Sequence, residues 1–485
     1  MDTLKQVETV IREFDLLKPG QKVVAGVSGG ADSLCLMACL VQLGYTVIVA
    51  HFDHQLRPES GEEANYVKKV TSKFGLHTVV KEGDVQELIK NGHSMEEAAR
   101  IARYTFMAEV ARDYDADTLA TGHTADDQIE TILMHFLRGS GPSGLRGMLP
   151  VTDMGDWVGV SGSEGIRLVR PLIELRRSQT ESFCQRMGLI PVEDPSNLDL
   201  SILRNRIRHE LVPLLLNYNP GLHSVLQRTG HVMAGEVALI QELILENWTD
   251  LVIHLGEHSL ILDRHFFYSL PIALKRAMMR RVLTVLSPGI RDVGYDIVEQ
   301  MTLFLSEEAS SGHMQLLAGM AVERYQDIAV VFKEGETVEF PQYPQMEVEN
   351  RIPVKLPFRH PLESGWMIQG EKKNHTSALA DKLNAGLKKG EAAFDLEQLK
   401  NEFAIRTPVP GDRFRPMGLG GTMKLSDFFI NLRIPRLARE NWPLVEARGE
   451  ILWVVGLRTA HSHMVGKDSE EIAWFELFPP KDEKE

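Results

Sequence analysis

The chain has 485 residues, of which 43% are hydrophobic and 25% charged, and its formal net charge is −14. This composition is typical of a globular protein with apolar cores. Only three cysteines occur and none forms a CxxC pair, which excludes a disulfide scaffold or a zinc ribbon. No stretch has the pattern of a signal peptide or a membrane helix, so we expect a cytoplasmic protein without a membrane partner.

The N-terminal part, residues 1–216, alternates strand and helix patterns, which predicts an α/β fold with a doubly wound parallel sheet. Lys22–Ser28 and Thr46–Phe52 are predicted strands, and Ala31–Leu43 and residues 94–114 are predicted helices. Ligands of such sheets bind beyond the carboxyl ends of the strands. Polar motifs follow three predicted strands: Ser28–Ser33, His51–Arg57 and Thr121–Asp127.

The rest of the chain predicts a helical middle domain and a mixed α/β C-terminal domain. Leucine, isoleucine and methionine recur at helical spacing through much of the middle, whereas the stretch before the C-terminal module is rich in proline and glutamate. We predict four segments: a linker helix at 217–242, a helical domain at 243–335, a linker with irregular β structure at 336–385 and an α/β domain at 386–485.

The first polar motif lies between a predicted strand and a predicted helix. Amide groups at a helix start bind phosphate, and two glycines allow a close backbone approach to the anion. The lysine of a Walker loop is missing, so the motif predicts a pyrophosphate loop for attack on the α-phosphate of ATP. Asp32 is suited to the accompanying Mg²⁺. The predicted ATP-binding residues of this loop are Ser28, Gly29, Gly30, Ala31, Asp32 and Ser33.

The second motif, His51-Phe52-Asp53-His54-Gln55-Leu56-Arg57, follows a predicted strand and is expected on the same rim. Its side chains are suited to positioning adenine, contacting RNA or binding a metal, and a satisfied polar turn is the alternative. A catalytic zinc needs three protein ligands, and the sequence offers no third one nearby. We assign His51 to the ATP site, and His54 and Arg57 to the RNA.

The third motif, residues 121–131, opens a predicted helix. Asp127 and Glu130 are three residues apart and share one helix face, where they can bind Mg²⁺ or accept a proton. Favourable placement of acids at a helix start is the alternative, although it does not explain His123. The glycine-rich segment that follows, Arg138–Gly147, is expected to close over a ligand.

A fourth candidate is the pair Arg100 and Arg103 on one face of a predicted helix. They are suited to neutralising a phosphate or a carboxylate, or to pairing with Glu96 and Glu97. Two locally basic islands, residues 167–208 and 401–448, stand out in the acidic chain and represent either solvated surface or RNA contacts.

Taken in order, these motifs resemble one family. The strings SGGADS, HFDHQLR, EEAARIARY, TGHTADDQIET, LRGSGPSGLRGM, VRPLI, EDPSN and RNRIRHELVPLL occupy residues 20–216, and RTPVPGDRFRPMG and KLSDFFINLRIPRLAR follow near the C-terminus. Together they are similar to the tRNA(Ile)-lysidine synthetases of the PP-loop superfamily. That resemblance implies a ligase for which ATP, Mg²⁺, free L-lysine and a tRNA(Ile) with the anticodon CAU are required.

The resemblance implies that ATP adenylates the C2 carbonyl oxygen of the first anticodon cytidine and that lysine then displaces AMP, giving lysidine. The tRNA then reads AUA and accepts isoleucine. The implied catalytic residues are Asp32, Arg103, Asp127 and Glu130, with Asp32 and Asp127 as Mg²⁺ ligands. The predicted contacts to substrate and tRNA are His54, Arg57, Arg100, His123, Arg138, Arg204, Arg206, Arg208, Lys424, Arg433, Arg436 and Arg439.

Three other functions compete with this hypothesis. A tRNA thiolase needs reactive or cluster-binding cysteines, and an amidotransferase-type synthetase needs a route for ammonia; neither feature is found in the sequence. An RNA-binding module with a vestigial loop conflicts with the intact Asp32, Asp127 and Glu130. The sequence leaves the oligomeric state open, and a homodimer is one expectation.

Overall fold

The computed structural model describes residues 2–53, 60–83, 86–90, 92–155, 157, 159–192, 195–290, 293–309, 311–347, 351–466 and 468–480. The chain forms two compact units, Met1–Leu243 and Ile244–Glu485, and the division between them falls inside one long helix. Domain boundaries finer than this division stay predictions.

The first unit is built on one sheet of six strands among the described residues, in the order β3-β2-β1-β4-β6-β5. The first five are parallel and β5 is an antiparallel edge, which confirms the predicted doubly wound α/β fold. The strands are β1 (Lys22–Gly26), β2 (Thr46–Asp53), β3 (His77–Glu82), β4 (Thr118–Ala120), β5 (Val151–Asp153) and β6 (Arg167–Val169).

Helices cover both faces of this sheet, and a π-helical turn, Ile207–Leu211, joins two of the shorter ones. The helices are α1 (Thr3–Glu13), α2 (Ala31–Gln42), α3 (Ser60–Lys73), α4 (Gln86–Lys90), α5 (Met95–Asp113), α6 (Ala125–Leu137), α7 (Pro142–Leu145), α8 (Arg177–Arg186), α9 (Leu203–Arg206), α10 (Val212–Tyr218) and α11 (Leu222–Leu251).

Alternation along the central strand separates two apolar cores. Val23 and Ala25 of β1 face a core with α1, α2, α3 and α8, whereas Val24 faces a core with α5. Successive side chains of a strand point to opposite faces, so a strand covered on both sides must be apolar throughout. Cys35 and Cys39 are fully buried in the first core, as expected for packing residues.

The order of the strands determines which loops meet at the edge of the sheet. From β1 the chain moves outward through β2 and β3 and then returns to the other side of β1 with β4. The loops after β1 and β4 therefore meet at the switch point of the sheet. Gly122 permits this meeting, because a Cβ at that position would lie 2.9 Å from the carbonyl carbon and oxygen of Asp32.

The second unit contains helices and antiparallel sheets. The predicted helical character of the middle region is confirmed by its helices, and the structure adds a five-stranded sheet that the sequence had not indicated in full. The helices of this unit are α12 (Arg264–Ser269), α13 (Ile272–Leu286), α14 (Tyr295–Ser306), α15 (Ser377–Ala385), α16 (Leu396–Leu399), α17 (Leu425–Asn431) and α18 (Arg436–Arg439).

Four sheets run through the described part of this unit, in the orders β7-β8-β11-β10-β9, β12-β16-β19-β20-β21, β13-β14-β22-β15 and β17-β18. The strands are β7 (Val252–Leu255), β8 (Ser259–Asp263), β9 (Gly312–Gln315), β10 (Met320–Arg324), β11 (Ile328–Lys333), β12 (Arg351–Val354), β13 (Phe358–Pro361), β14 (Met367–Asn374), β15 (Glu391–Asp395), β16 (Phe403–Arg406), β17 (Arg413–Phe414), β18 (Met423–Lys424), β19 (Leu444–Ala447), β20 (Glu450–Val454), β21 (Arg458–Thr459) and β22 (Glu471–Phe478).

The C-terminal part of this unit is mixed α/β, as predicted. Phe403 of β16 and Phe475 of β22 belong to different sheets, and their rings meet edge to face with centroids 5.3 Å apart. Aromatic pairs in this arrangement add to the energy of burial. Over the described residues, the chain contains no helix that combines the length and the apolar character required to cross a membrane.

Candidate active site

The loop after β1 is held in a closed turn by one hydroxyl group. The backbone N–H groups of Ser28 and Gly29 both donate to the Ser33 Oγ at 3.2 Å, and that hydroxyl donates to the Gly30 carbonyl at 2.9 Å. Gly29 has a φ of +95°, a region that favours glycine. Two amide donors thus converge on a single point at the start of α2, the arrangement that binds an oxyanion.

His51 supports this loop from the neighbouring strand. Its ring is buried, and Nδ1 lies 2.8 Å from the Val27 carbonyl, to which it donates when protonated at that nitrogen. The contact joins the end of β2 to the residue that precedes the SGGADS motif, so His51 fixes the backbone of the loop. His54 and Arg57, the other predicted residues of this motif, lie outside the described part of the chain.

Asp32 is held by two side chains of α8. Its Oδ1 accepts a hydrogen bond from the Thr180 hydroxyl at 2.5 Å, and its Oδ2 accepts one from Arg177 Nε at 3.3 Å. Burial raises the pKa of Asp32, and the Thr180 and Arg177 contacts oppose that change. Neither Thr180 nor Arg177 was assigned to the site from sequence, although Arg177 belongs to the first basic island.

Asp127 stands at the first turn of α6 and is part of its cap. Oδ2 accepts the Thr124 backbone N–H and hydroxyl, both at 2.9 Å, and Oδ1 accepts Arg177 Nη2 at 3.3 Å. Burial opposes ionisation of Asp127, but Arg204, Arg177 and the Thr124 amide together lower its pKa. The carboxyl therefore stays ionised at neutral pH and is a weak base.

Glu130 lies one turn further along α6 and is almost completely buried. Arg208 binds it through two nitrogens, with Nε 2.6 Å from Oε1 and Nη2 2.9 Å from Oε2, and Arg204 Nε lies 3.0 Å from Oε2. Arg204 also reaches Asp127 Oδ1 at 3.4 Å. The structure thus brings together four of the residues predicted from sequence: Asp127, Glu130, Arg204 and Arg208.

Arg177 marks a place for a cation between two carboxylates. Its guanidinium spans Asp32 Oδ2 and Asp127 Oδ1, so these two oxygens face the same positive group. Mg²⁺ is commonly bound by one or two carboxylates together with substrate phosphates, which fits this pair beside the loop. Within the described residues, no group of three or more His, Cys, Asp or Glu side chains is placed to hold a metal ion without such help.

His123 lies in the loop between β4 and α6, where its Nδ1 is 2.8 Å from the Thr121 hydroxyl. Burial and the nearby Arg170 lower the pKa of His123 to about 3. Asp127 acts in the opposite direction, but its effect is smaller. The imidazole is consequently neutral at neutral pH, and any contact that it makes with a substrate is a hydrogen bond from or to an uncharged ring, or a ring contact.

Arg100 and Arg103 share an aromatic neighbour on α5. Their guanidinium carbons lie 4.9 and 5.3 Å from the centre of the Tyr104 ring, and Arg100 also lies 5.0 Å from the centre of the Trp157 ring. Cation–π contacts of this kind fix an arginine without neutralising it. The two guanidinium groups remain candidates for binding an anion.

Gln128 was not assigned from sequence, although it lies inside the third motif. Its Nε2 donates to the carbonyls of Arg146 and Met148 at 3.2 and 3.1 Å, and its Oε1 accepts the Met148 N–H at 2.7 Å. The end of the glycine-rich segment is thereby fixed to α6. Arg138 at the start of this segment is exposed, as is Arg206, whose contact to Glu210 is 3.9 Å.

The predicted C-terminal RNA contacts fall into two classes. Arg436 is bound to the buried Glu323, and Arg439 donates to the Ile434 carbonyl at 2.9 Å through Nε. Lys424 and Arg433 have exposed side chains. Any RNA contact by the first two has to compete with bonds inside the unit, whereas the second pair is accessible to a phosphate backbone.

Comparison with known proteins identifies the family. Residues 3–215 match the family model of the PP-loop domain, and residues 403–474 match that of the TilS substrate C-terminal domain. The tRNA(Ile)-lysidine synthase of Dehalococcoides mccartyi is 30% identical over 479 residues, which cover 96% of this chain and 98% of the relative. The chain belongs to the tRNA(Ile)-lysidine synthase family. The PP-loop domain supports its use of ATP, and its relatives identify it as an enzyme of tRNA modification.

Two further members of the family show the same full-length match. The tRNA(Ile)-lysidine synthase of Geobacter sulfurreducens is 33% identical, with 97% of this chain and 96% of the relative covered. That of Geobacillus kaustophilus is 34% identical, with 94% and 95% covered. Both units of this chain therefore belong to the architecture of the family, which confirms the resemblance seen in the sequence motifs.

The neutral state of His123 predicts a pH dependence of stability. Its pKa is about 3 in the folded chain and 6.5 for an unperturbed ring, so the unfolded chain binds a proton that the folded chain does not. The stability due to this group is present above pH 6.5 and is lost as the pH falls from there toward 3. Between pH 6.5 and about 5.5, wild type should lose about 1 kcal/mol more than His123→Asn.

Denaturant unfolding of both proteins at several pH values measures this difference. Asparagine is the matched substitution because its amide group can take the place of Nδ1 in the hydrogen bond with the Thr121 hydroxyl, while the side chain does not titrate. Parallel pH profiles for the two proteins would contradict a buried, neutral His123.

Proposed function

We propose that this chain is a tRNA(Ile)-lysidine synthase that uses ATP to adenylate the C2 carbonyl oxygen of the first anticodon cytidine in a tRNA(Ile) with the anticodon CAU. Free L-lysine then attacks C2 and displaces AMP. The resulting lysidine changes codon recognition from AUG to AUA and tRNA identity from methionine to isoleucine. One observation carries the proposal: in a member of this family, the SGGADS loop and the Asp127–Glu130 pair lie at the same sheet edge.

The loop is assigned to the ATP phosphates. The converging amides of Ser28 and Gly29 would donate to a phosphate oxygen in place of Ser33 Oγ. Asp32 and Asp127 would hold Mg²⁺, which neutralises negative charge on the triphosphate when it is bound. Arg103, whose guanidinium lies against the Tyr104 ring, would stabilise charge at the adenylation centre. Adenylation converts the cytidine oxygen into part of a good leaving group, and pyrophosphate is released.

The carboxylate pair is assigned to the amine of lysine. A lysine side chain has an ordinary pKa near ~10.4 and arrives as an ammonium ion. Asp127 has a lowered pKa and suits binding of this cation better than removal of its proton. The ammonium group first loses a proton to solvent. The free amine then attacks, which forms the bond from its nitrogen to C2, breaks the C2–O bond and releases AMP.

Labelled lysine tests the whole proposal. Incubation of the full chain with ATP, [¹⁴C]lysine and tRNA(Ile) should transfer label to the tRNA, and nucleoside analysis should show lysidine in place of one cytidine. AMP release should require both lysine and the tRNA. A thiolase would instead depend on a sulfur donor, and an RNA-binding module would release no AMP, so either result would exclude lysidine formation.

The exposed C-terminal residues predict a measurable part of tRNA affinity. Removal of one phosphate contact reduces the slope of log affinity against log salt by about one. We expect Lys424→Glu and Arg433→Glu each to weaken tRNA binding roughly 5- to 10-fold and to flatten that slope. Filter binding of tRNA over a range of salt concentrations measures both effects.

Arg359→Glu is the control for these two variants. Arg359 is exposed, lies outside the basic stretch 401–448, and its Nε donates to Gln369 at 2.7 Å. This change alters the net charge by the same amount and should leave tRNA binding within about 2-fold. Equal losses of affinity in all three variants would point to net charge alone rather than to a contact surface.

A further inference from the structure

The amine site of the proposed function is the Asp127–Glu130 pair, and arginine side chains already occupy it. Glu130 accepts hydrogen bonds from Arg204 and from the Nε and Nη2 atoms of Arg208. Asp127 Oδ1 lies within 3.3–3.6 Å of Arg177, Arg204 and Arg208. Only 3% of the Glu130 side chain and 12% of the Asp127 side chain are exposed. With the described residues in this arrangement, a substrate ammonium has little carboxylate surface to approach.

The charges of the groups in direct contact within this cluster cancel. Three carboxylates, those of Asp32, Asp127 and Glu130, face three guanidinium groups. Addition of an ammonium ion would leave one uncompensated positive charge in a largely buried site, and a buried charge without a partner is strongly unfavourable. A lysine side chain can therefore bind here only when at least one guanidinium leaves.

We propose that Arg204 and Arg208 occupy the amine site until ATP binds, and that the negative triphosphate draws at least one of them away, so that lysine binds after ATP. This inference rests on the proposed function. The link between the two sites is Arg177, which contacts Asp32 in the phosphate loop and Asp127 in the carboxylate pair. A triphosphate at the loop competes with Asp32 and Asp127 for Arg177 directly, and Arg204 and Arg208 are connected to this competition through Asp127 Oδ1, which all three arginines approach.

The local structure favours rotation of side chains over movement of the backbone. Asn205, between the two arginines, is buried, and its Nδ2 donates to the Ser196 and Asp199 carbonyls at 2.8 and 2.9 Å. Arg204 and Arg208 are 29% and 19% exposed, so each has access to solvent for a rotation. Arg208 also belongs to the π-helical turn Ile207–Leu211, a distortion that is frequent at functional sites.

Calorimetric titration of lysine into the full chain tests the order of binding. Without nucleotide, wild type should bind lysine at least ~10-fold more weakly than it does with saturating α,β-methylene ATP and Mg²⁺. Lysine should tighten binding of this analogue by the same factor, because binding couplings are reciprocal. Equal lysine affinity with and without the analogue would overturn the proposal with no variant needed.

Variants assign the effect to the two arginines. In Arg204→Met or Arg208→Met, lysine should bind without nucleotide. The coupling, which is the ratio of lysine affinities with and without the analogue, should fall to about 2-fold or less. Arg204→Lys keeps a cation at the site and should keep the coupling. Arg112→Met is the control, since the Arg112 side chain is 51% exposed and contacts Glu164, outside the cluster; it should show the wild-type dependence of lysine affinity on the analogue.

The outcomes separate this inference from the proposed function. A contrary result is that the analogue still strengthens lysine binding as in wild type in both methionine variants, while the analogue itself binds normally and so shows that they are folded. That result would overturn the proposal that Arg204 and Arg208 occupy the amine site. If lysine is transferred to tRNA but its binding does not depend on the analogue, the proposed function stands and the inference fails. If the full chain transfers no lysine to tRNA under any condition, the proposed function itself fails.

Discussion

Asp32→Asn is expected to lower lysidine formation on the order of 1,000-fold while tRNA affinity stays within about 2-fold. Asparagine keeps the size of the side chain and a carbonyl oxygen for the Thr180 hydroxyl, so the start of α2 should be preserved. It removes the negative charge that faces Arg177 and that would hold Mg²⁺ at the triphosphate. The loss should therefore appear in adenylation and not in RNA binding.

Single-turnover release of pyrophosphate, measured beside tRNA binding, separates the two effects. Thr180→Val is the matched control, because it removes the hydrogen bond to Asp32 but leaves the carboxylate charge in place. Its rate should fall by roughly 10-fold, consistent with the loss of one hydrogen bond to a charged group. Near-normal turnover in Asp32→Asn would rule out a charged role for this residue.

The catalytic fold could be predicted from sequence because its signals are local. The apolar runs of β1 and β2 end at polar motifs, and Gly29 and Gly30 mark the turn into α2. The capping pattern of Ser94 and Glu97 likewise locates the start of α5, where the Ser94 side chain accepts the Glu97 N–H. Each of these features depends on residues that are close in the chain.

The partners of the carboxylates could not be predicted in the same way. Thr180 and Arg177 reach Asp32 across 148 and 145 positions of sequence. Arg177 looks like any other member of a basic island until α8 packs beside α2. His51 shows the same limit: a histidine after a strand suits ligand binding, but only the fold reveals that its Nδ1 is directed at the Val27 carbonyl.

In the middle region, periodicity in the sequence does not identify the short strands. β7 follows directly on the 30-residue helix α11, and β8 has five residues, of which four are buried. A short apolar run of this kind fits a buried helix segment as well as a strand. The segment Ser259–Asp263 is a strand because it pairs with β11, far along the chain. The residues near it in sequence do not indicate this pairing.

The carboxylate pair predicts a separation of the two chemical steps. Asp127→Asn and Glu130→Gln should each raise the KM for lysine roughly 10- to 100-fold, the effect of losing a hydrogen bond between charged groups worth about 1.5–3 kcal/mol. In Glu130→Gln adenylation should be affected less, so adenylated tRNA should accumulate. Asp127→Asn also removes a proposed Mg²⁺ ligand and should slow adenylation as well. Asparagine at 127 retains an acceptor for the Thr124 N–H and hydroxyl, which preserves the cap of α6.

Rapid quenching with radiolabelled ATP and tRNA, with and without lysine, measures the adenylated intermediate directly. Asp126→Asn is the control on the same helix turn: Asp126 accepts the Arg177 backbone N–H at 2.8 Å and lies outside the carboxylate pair. It should keep the KM for lysine within about 3-fold of wild type. If all three variants retain normal lysine dependence, then Asp127 and Glu130 only stabilise the start of α6 and its arginine partners, and the amine must be bound elsewhere.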